Sequence, residues 1–262
     1  MDWHWNTWLI VRSCQGTRIF IRSHLENVQT IIVLSINLIT NHGDNMDISE
    51  AVLKRSSIRA FLDTPIDNQI IEDLLCQASR SPSGGNLQPW KIVVINNQSM
   101  KDFLDFQNSW DKPEAPSYDI YPSGLKEPYR TSRYELGEQM YSLLGIARDD
   151  KEGRLLQVME NFKFFGAPAA LFCFVDKQMG PPQWSDLGMF LQTFMLLAQE
   201  KGIDTCAQEA WSIKNDSVCE FVDADEQDIL FCAVAIGYQD KNALINQLQS
   251  KRRPLHQWAK FL

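Results

Sequence analysis

Residues 82–90 read Pro82-Ser83-Gly84-Gly85-Asn86-Leu87-Gln88-Pro89-Trp90. The paired glycines let backbone approach a ligand closely, and Asn86 and Gln88 bring amide donors and acceptors together. A plain helix-to-strand turn would use the same breakers, and Gly-Gly alone is weak evidence of a site. The nine-residue string is far more specific. On its N-terminal side, Asp67 is placed to cap a helix over 68–80, because Ile70, Ile71, Leu74, Leu75 and Ala78 share one helical face. On its C-terminal side, residues 91–95 (KIVVI) read as a short buried strand.

Further out, the same alternation continues. Ser99 is a cap for a helix through Phe106. Residues 109–133 carry four prolines and three tyrosines without a period and read as a long ordered loop or lid. Residues 134–165 read as mostly helical around a polar middle at 148–154, and 169–175 (AALFCFV) as a strand. A long apolar helix starts at Ser185 or Asp186 and runs to Lys201, where Gly202 is a fitting stop. Asp186 is read as its N-cap and Asp204 as a loop residue. A short helix follows Trp211. Asp228 precedes a last strand over 229–236 (ILFCAVAI), ended by Gly237. Apolar strands separated by helices, with no internal repeat, give an α+β or α/β layered domain. The stripe of Phe190, Phe194 and Leu197 reads as core, the 148–154 charges as a solvated helix face, and Tyr118, Tyr121 and Tyr129 as either substrate-stacking or loop-packing residues.

Composition narrows the function. The 262 residues suit one domain with a tail, and the net charge of −8 argues against a dedicated nucleic-acid binder. Cys14, Cys76, Cys173, Cys206, Cys219 and Cys232 show no CxxC spacing, which reads as a reducing, cytoplasmic setting with no disulfide framework and no zinc site. The four histidines are His4, His24, His42 and His256, so the body of the chain holds neither an HExxH metal site nor a histidine triad. An enzyme built this way needs a bound cofactor to carry its chemistry. The first 45 residues, opening MDWHWNTWLIVRSCQG, look foreign to the rest. The apolar run 30–39 is too short to span a bilayer, and no signal-peptide pattern appears. Met46 opens MDISEAVLKRSSIRAF, which reads like an ordinary start. Residues 1–45 are therefore taken as an extension, from a misassigned start or as a segment that packs on the body or a partner, and 46–262 as the working domain.

The second motif is Lys54-Arg55-Ser56-Ser57-Ile58-Arg59. Cations and hydroxyls just after a short helix can hold a phosphate, or can be a solvated basic patch. The Arg55–Arg59 run, followed about 25 residues later by the 82–90 string, resembles the nitroreductase family of flavoproteins. The resemblance continues through Phe165-Gly166-Ala167-Pro168, the helix from Asp186, Ala207-Gln208-Glu209-Ala210 and the tail Arg252-Arg253-Pro254. It covers 46–262 and none of the leader. Residues 183–192 and 206–211 resemble the branch that includes nitrobenzoate reductases.

That resemblance implies a three-layer α-β-α sandwich that forms a domain-swapped homodimer, with FMN in each interface cleft. It implies NADH or NADPH as electron donor and a small electron-poor acceptor, visiting in turn by a ping-pong mechanism, with no membrane partner. Arg55, Ser56, Ser57 and Arg59 would grip the FMN phosphate and flavin edge. Pro82, Ser83, Gly84, Asn86 and Gln88 would supply a second cofactor loop, partly across the dimer. Glu209 matches the position whose backbone N–H approaches flavin N5. Arg252 is the best match for the tail cation on the phosphate, with Lys251 or Arg253 taking its place if the register slips. No side chain is assigned as catalytic. Two departures stand out: Ser56 replaces a family cation, and Ala210 replaces a glycine that a positive φ would require. Two other functions stand beside this one: an enzyme of the same fold dedicated to one substrate such as an enone or halogenated aromatic, and a non-enzymatic flavin-binding redox sensor.

Overall fold

Every residue of the strand β5 (Ala169–Asp176) up to Val175 is buried, which requires packing on both faces of the sheet. The computed structural model describes residues 7–12, 18–23 and 46–262 and supplies both. One face of β5 presents Ala169, Leu171, Cys173 and Val175 to a first core. The other presents Ala170, Phe172 and Phe174 to a second. Alternation of this kind follows from the two-residue period of a strand.

The other elements, in chain order, are β1 (Thr7–Arg12), β2 (Arg18–Ser23), α1 (Ile48–Lys54), β3 (Phe61–Leu62), α2 (Asn68–Ala78), β4 (Lys91–Asn96), α3 (Gln98–Ser109), α4 (Tyr129–Leu143), α5 (Lys151–Met159), then β5, α6 (Pro181–Glu200), β6 (Asp204–Gln208), α7 (Asn215–Val222) and β7 (Asp228–Gln239). The long β7 organises the sheet: β5, β6 and β3 all pair with it antiparallel, and β4 pairs antiparallel with β5. A bulge opposite Cys173/Phe174 re-phases β7, so Leu230 and Ala233 share a face although they are three positions apart. α2 and α6 cover the first face through Ile71, Leu74, Leu187, Phe190 and Phe194. α3 and α7 cover the second through Phe103 and Val218, joined by Trp211. The expected layering of helices on both faces of a sheet is present, in an α+β arrangement. Among the described residues β1 and β2 pair only with each other; the rest of residues 1–45, and the expectations that fall on it, lie outside the described residues.

Phe164 and Phe165 both adopt positive φ, at 50° and 54°. Bulky residues rarely do so. Here the backbone turn drives both rings into the second core, where Phe164 stacks on Trp211 at 4.6 Å. Burial of large aromatic surface offsets the local strain.

Several boundaries differ from the sequence reading. The long helix starts at Pro181, with Gly180 at the cap position, because proline is tolerated in a first helical turn. Asp186 is consequently a buried interior residue and not the N-cap. Asp204 is not in a loop: it opens β6, where its carboxylate accepts from the Gln239 backbone N–H at 3.0 Å. β7 runs through Gly237 to Gln239. The lid is partly helical, since α4 begins at Tyr129, and the expected 134–165 helix breaks at Gly145, whose φ is 69°. Ser99 lies inside α3, its hydroxyl accepting from the Asn96 N–H at 2.9 Å. Cys173, Cys206, Cys219 and Cys232 are free, but Cys76 is disulfide-bonded, against the expectation of no disulfide. Among the described residues no helix is long and apolar enough to cross a membrane.

Candidate functional site

The first motif is fixed to the sheet edge by backbone. Asp47 caps α1, accepting from the Glu50 N–H, and the helix ends with Arg55 at its C-cap. The chain then runs beside β6: Ser57 bridges Thr205, and the Ile58 N–H donates to the Thr205 carbonyl at 3.1 Å. Ile58 is buried and anchors the segment, so its neighbours Ser57 and Arg59 are only half-buried. The Arg59 N–H donates to Asn246 Oδ1 at 2.8 Å, and its guanidinium to the Ser57 carbonyl at 3.3 Å. Asn246 also ties the Ala60 and Asp240 carbonyls together, at 2.8 and 2.9 Å. The sequence reading missed Asn246, which lies far from any motif in the chain.

Arg55, Arg59, Ser57 and Arg252 form one neighbourhood. Burial, and then the adjacent Arg252, pushes the Arg55 guanidinium below its ordinary value. A half-buried guanidinium with a second, exposed one acting on it makes a site that an anion would relieve. Cys206 lies at the same place; burial pushes its thiol up to about 11 against the opposing pull of Arg59, Ser57 and Arg55. Of the three tail cations, Arg252 is the one that acts on Arg55. Its guanidinium is steadied by the Ser250 hydroxyl at 2.6 Å. Arg253 instead sits over the Tyr129 ring, 5.4 Å from its centroid.

The 82–90 string sits elsewhere, over α6. Gly85, Asn86 and Gln88 have φ of 60°, 58° and 49°. Glycine accepts this freely and asparagine tolerably, but a glutamine held there is strained. Side chains join the backbone bonds of the turn: Gln88 N–H donates to Ser83 Oγ at 3.0 Å, Gln88 Nε2 to the Asn86 carbonyl at 3.2 Å, and Gly84 N–H to Asp186 Oδ2 at 3.2 Å. Asp186 is therefore the post beneath this loop, a role the sequence reading did not assign. Pro82, Gly84, Asn86 and Gln88 are exposed and Ser83 half-exposed. Among the described residues no hydrogen bond or ion pair joins this loop to the first motif.

β6 delivers the third element. Gln208 is buried, its Nε2 donating to the Asn161 carbonyl at 2.8 Å. Glu209 follows at the strand's end, opening a short turn over Glu209–Lys214. Its side chain reaches solvent, yet crowding by protein raises its carboxyl pKa. Ala210 is not among the positive-φ residues, so an alanine there is unstrained.

Arg59 also forms part of a cleft of about 930 Å³ beneath α4, walled by Tyr121, Arg133, Glu138, Arg148 and Arg154 among others. Arg148 and Arg154 line this cleft, and residues 148–152 are exposed, as expected of a solvated charge run. Arg154 is ion-paired to Glu138 at 2.7 Å. Tyr118 is not a cleft residue. Its hydroxyl donates to the Phe231 carbonyl and its ring packs on Trp184, so it pins the lid to the sheet. Tyr121 does line the cleft.

Comparison with known proteins shows the family. The sequence model of the Nitroreductase family matches residues 52–238. The chain is 32% identical over 219 residues to a 4-nitrobenzoate reductase of Pseudomonas putida, covering 82% of this chain and 96% of the relative. It is 28% identical over the same length to a chloronitrobenzene nitroreductase of Comamonas testosteroni, with the same coverage. Among solved structures, the FMN and NADPH-dependent nitroreductase NfnB from sphigopyxis sp. strain HMH superposes with a TM-score of 0.78 at 40% identity, over 82% of this chain and 99% of that one. On this evidence the chain belongs to the nitroreductase family.

Proposed function

We propose that the chain is an FMN-dependent NAD(P)H oxidoreductase that reduces nitroaromatic, quinone-like or other electron-poor small molecules. One observation carries the reading: the half-buried Arg55 guanidinium, pushed below its ordinary value by burial and then by Arg252, shares a short segment with Ser57 and Arg59, whose guanidinium donates to the Ser57 carbonyl at 3.3 Å. A phosphate dianion fits that set, and Arg59 then faces the cleft where a ring would lie. The hydroxyl of Ser56 replaces one family cation, so the phosphate is met by two arginines and two serine hydroxyls.

Bound FMN would supply the redox chemistry, taking a hydride from the nicotinamide and passing electrons to the acceptor. The protein's part is to position and to tune. Arg59 would place positive charge at the ring edge and so favour electron acceptance. The loop 82–88, held in a strained conformation, would present Ser83 Oγ and the Asn86 and Gln88 amides to the ring edge. The Gly84 N–H is already engaged by Asp186, so Gly84 would contribute backbone shape. Glu209 would offer its backbone N–H at the flat face. A single slot serving donor and acceptor in turn implies ping-pong kinetics.

The separation of the two motifs supports completion of each cleft by a second copy, as a domain-swapped homodimer built from residues 46–262. Apolar surface on one chain points the same way: Ile48 and Leu53 on α1, Leu155 and Leu156 on α5, and Trp258, Phe261 and Leu262 in the tail are all exposed. Neither α4 nor α5 has a single buried residue, which is unusual for helices that pack only within their own chain. A cytoplasmic setting goes with the four free thiols; the disulfide at Cys76 is the observation against it.

Arg59→Ala tests the assignment. The variant is expected to fold, to lose most FMN and to lose turnover. Stoichiometric retention of flavin would contradict the role given to Arg59. A flavin-loaded monomer by light scattering would contradict the dimer.

A further inference from the structure

Two free thiols face each other in the middle of the sheet. Cys173 on β5 and Cys232 on β7 are partners in register, both buried and both turned into the first core. Directly opposed residues of an antiparallel pair have Cα atoms about 4.5–5.5 Å apart, inside the range of about 4.4–6.8 Å that a disulfide spans. Their Cβ atoms need to approach by about 1 Å. The bulge begins immediately after Cys173, and the ladder is locally loosened there, which gives the pair room to close. The other two free thiols are placed differently: Cys206 lies opposite Ala235 and enters the second core, and Cys219 sits on α7. A buried cysteine ordinarily acts as a small apolar residue. This pair is set apart by a polar cover. Tyr118 of the lid is half-buried, and its hydroxyl donates to the carbonyl of Phe231, the neighbour of Cys232. Burial, and then Cys232, Glu209 and Cys173, push that hydroxyl above its ordinary value, so it stands near both thiols. Its ring packs edge-on against Trp184 at 5.4 Å, and Ser117 beside it donates to the Leu230 carbonyl at 2.7 Å.

We propose that Cys173 and Cys232 are a redox modification site, oxidised by hydrogen peroxide to a disulfide that joins β5 to β7. One thiol, as its thiolate, attacks a peroxide oxygen; the O–O bond breaks, hydroxide leaves and a sulfenic acid forms. The second thiol attacks the sulfenic sulfur; the S–S bond forms, the S–O bond breaks and water leaves with the thiol proton. In sum, two thiols and one peroxide give one disulfide and two waters, with sulfur oxidised and peroxide oxygen reduced. Burial raises both thiols, Cys232 to about 12, so in the closed protein both are protonated and slow to react. Reaction therefore waits on opening of the lid at Tyr118. The cross-link lies beside the end of β6, since Gln208 pairs with Ala233, but its formation needs no cofactor.

The test is peroxide treatment of the folded full chain, quenched by alkylation in denaturant and mapped by peptide mass. The expected product is a peptide containing Cys173 joined to one containing Cys232, released by dithiothreitol, while Cys206 and Cys219 are recovered alkylated. Cys232→Ser should abolish the joined peptide. Tyr118→Ala should speed its formation at least about tenfold, because losing one hydrogen bond and one packed ring raises the open population by that much or more. Tyr118→Phe keeps the ring and should speed it less; it carries the comparison if the alanine variant fails to fold. No joined peptide in wild type or in a folded Tyr118 variant would overturn the proposal. So would a joined peptide that forms only when peroxide acts in denaturant, or one that links Cys173 or Cys232 to Cys206 or Cys219 first. Equal rates in wild type and the Tyr118 variants would overturn the part given to the lid.

Discussion

Asp186→Ala separates what holds the cofactor loop from what holds the fold. Asp186 is 5% exposed inside α6, and its one described hydrogen bond is accepted from the Gly84 N–H at 3.2 Å. Removing it has three effects on the folded chain. Alanine is the better helix former by roughly 0.5–0.7 kcal/mol. The cost of keeping a buried charge with one partner disappears. Against these stands a lost charge-assisted bond of about 1.5–3 kcal/mol, and the exposed Gly84 N–H recovers part of that from water. The terms nearly cancel, so the melting temperature should move by only a few degrees. The loop, however, loses its tie to α6 and is free to leave the strained shape that Gly85, Asn86 and Gln88 now share. If re-forming that shape costs about 1.4 kcal/mol on binding, FMN affinity falls about tenfold. Fluorescence titration of the apoprotein with FMN measures this, alongside a thermal melt. Unchanged FMN affinity would refute the claim that Asp186 sets the loop. A collapse in melting temperature at full occupancy would show that it serves the fold instead.

Gly237→Ala should destabilise the chain by about 1–3 kcal/mol, because a Cβ there would come within 2.7 Å of the Phe61 ring and 2.9 Å of Pro168 Cδ. A denaturant melt checks this, and wild-type stability would show that β3 yields at no cost. Lys91 is held to Asp228 at 2.6 Å, and this hydrogen bond raises its pKa above the ordinary value. A raised lysine contributes stability that is complete below its unfolded value and is lost as pH climbs through the folded one. Lys91→Met should therefore cost a constant small amount from neutral pH to about pH 10, shrinking above it. A difference that grows with alkalinity would contradict the pairing.

Much of this architecture is legible in the chain, and the misses share a cause. The α2 face, with Asp67 as its cap, and the buried runs of β4, β5 and β7 stand where hydrophobic periodicity puts them. β6 was hidden because its sequence, Asp204-Thr205-Cys206-Ala207-Gln208, is polar where strands are usually apolar. Its buried Asp204 accepts from Gln239 and its buried Gln208 donates through Nε2 to Asn161, partners that no local pattern announces. The start of α6 was hidden because two consecutive prolines read as breakers, although a first turn accepts them. Among site residues, Ser57 and Arg59 are joined by a hydrogen bond and Arg252 acts on Arg55, a grouping that the family resemblance implied and spacing alone did not. The loop 82–88 does not join them within one chain. Asp186 and Asn246 were invisible for the opposite reason: each supports a motif through a contact remote in sequence, 102 and 187 residues away. The charge run at 148–154 is largely solvated, as its composition says, but that Arg148 and Arg154 also line a cleft depends on α4 and leaves no local pattern.

The central claim is that this chain carries a redox-active flavin. An anaerobic absorbance spectrum of the purified protein tests it most directly, with NADPH added and then a nitroarene. The account expects bands near ~370 and ~450 nm that bleach with the donor and return with the acceptor. A colourless protein that takes up no added FMN would contradict it, leaving the fold and family membership but none of the roles assigned to Arg55, Arg59, Arg252 or the 82–88 loop.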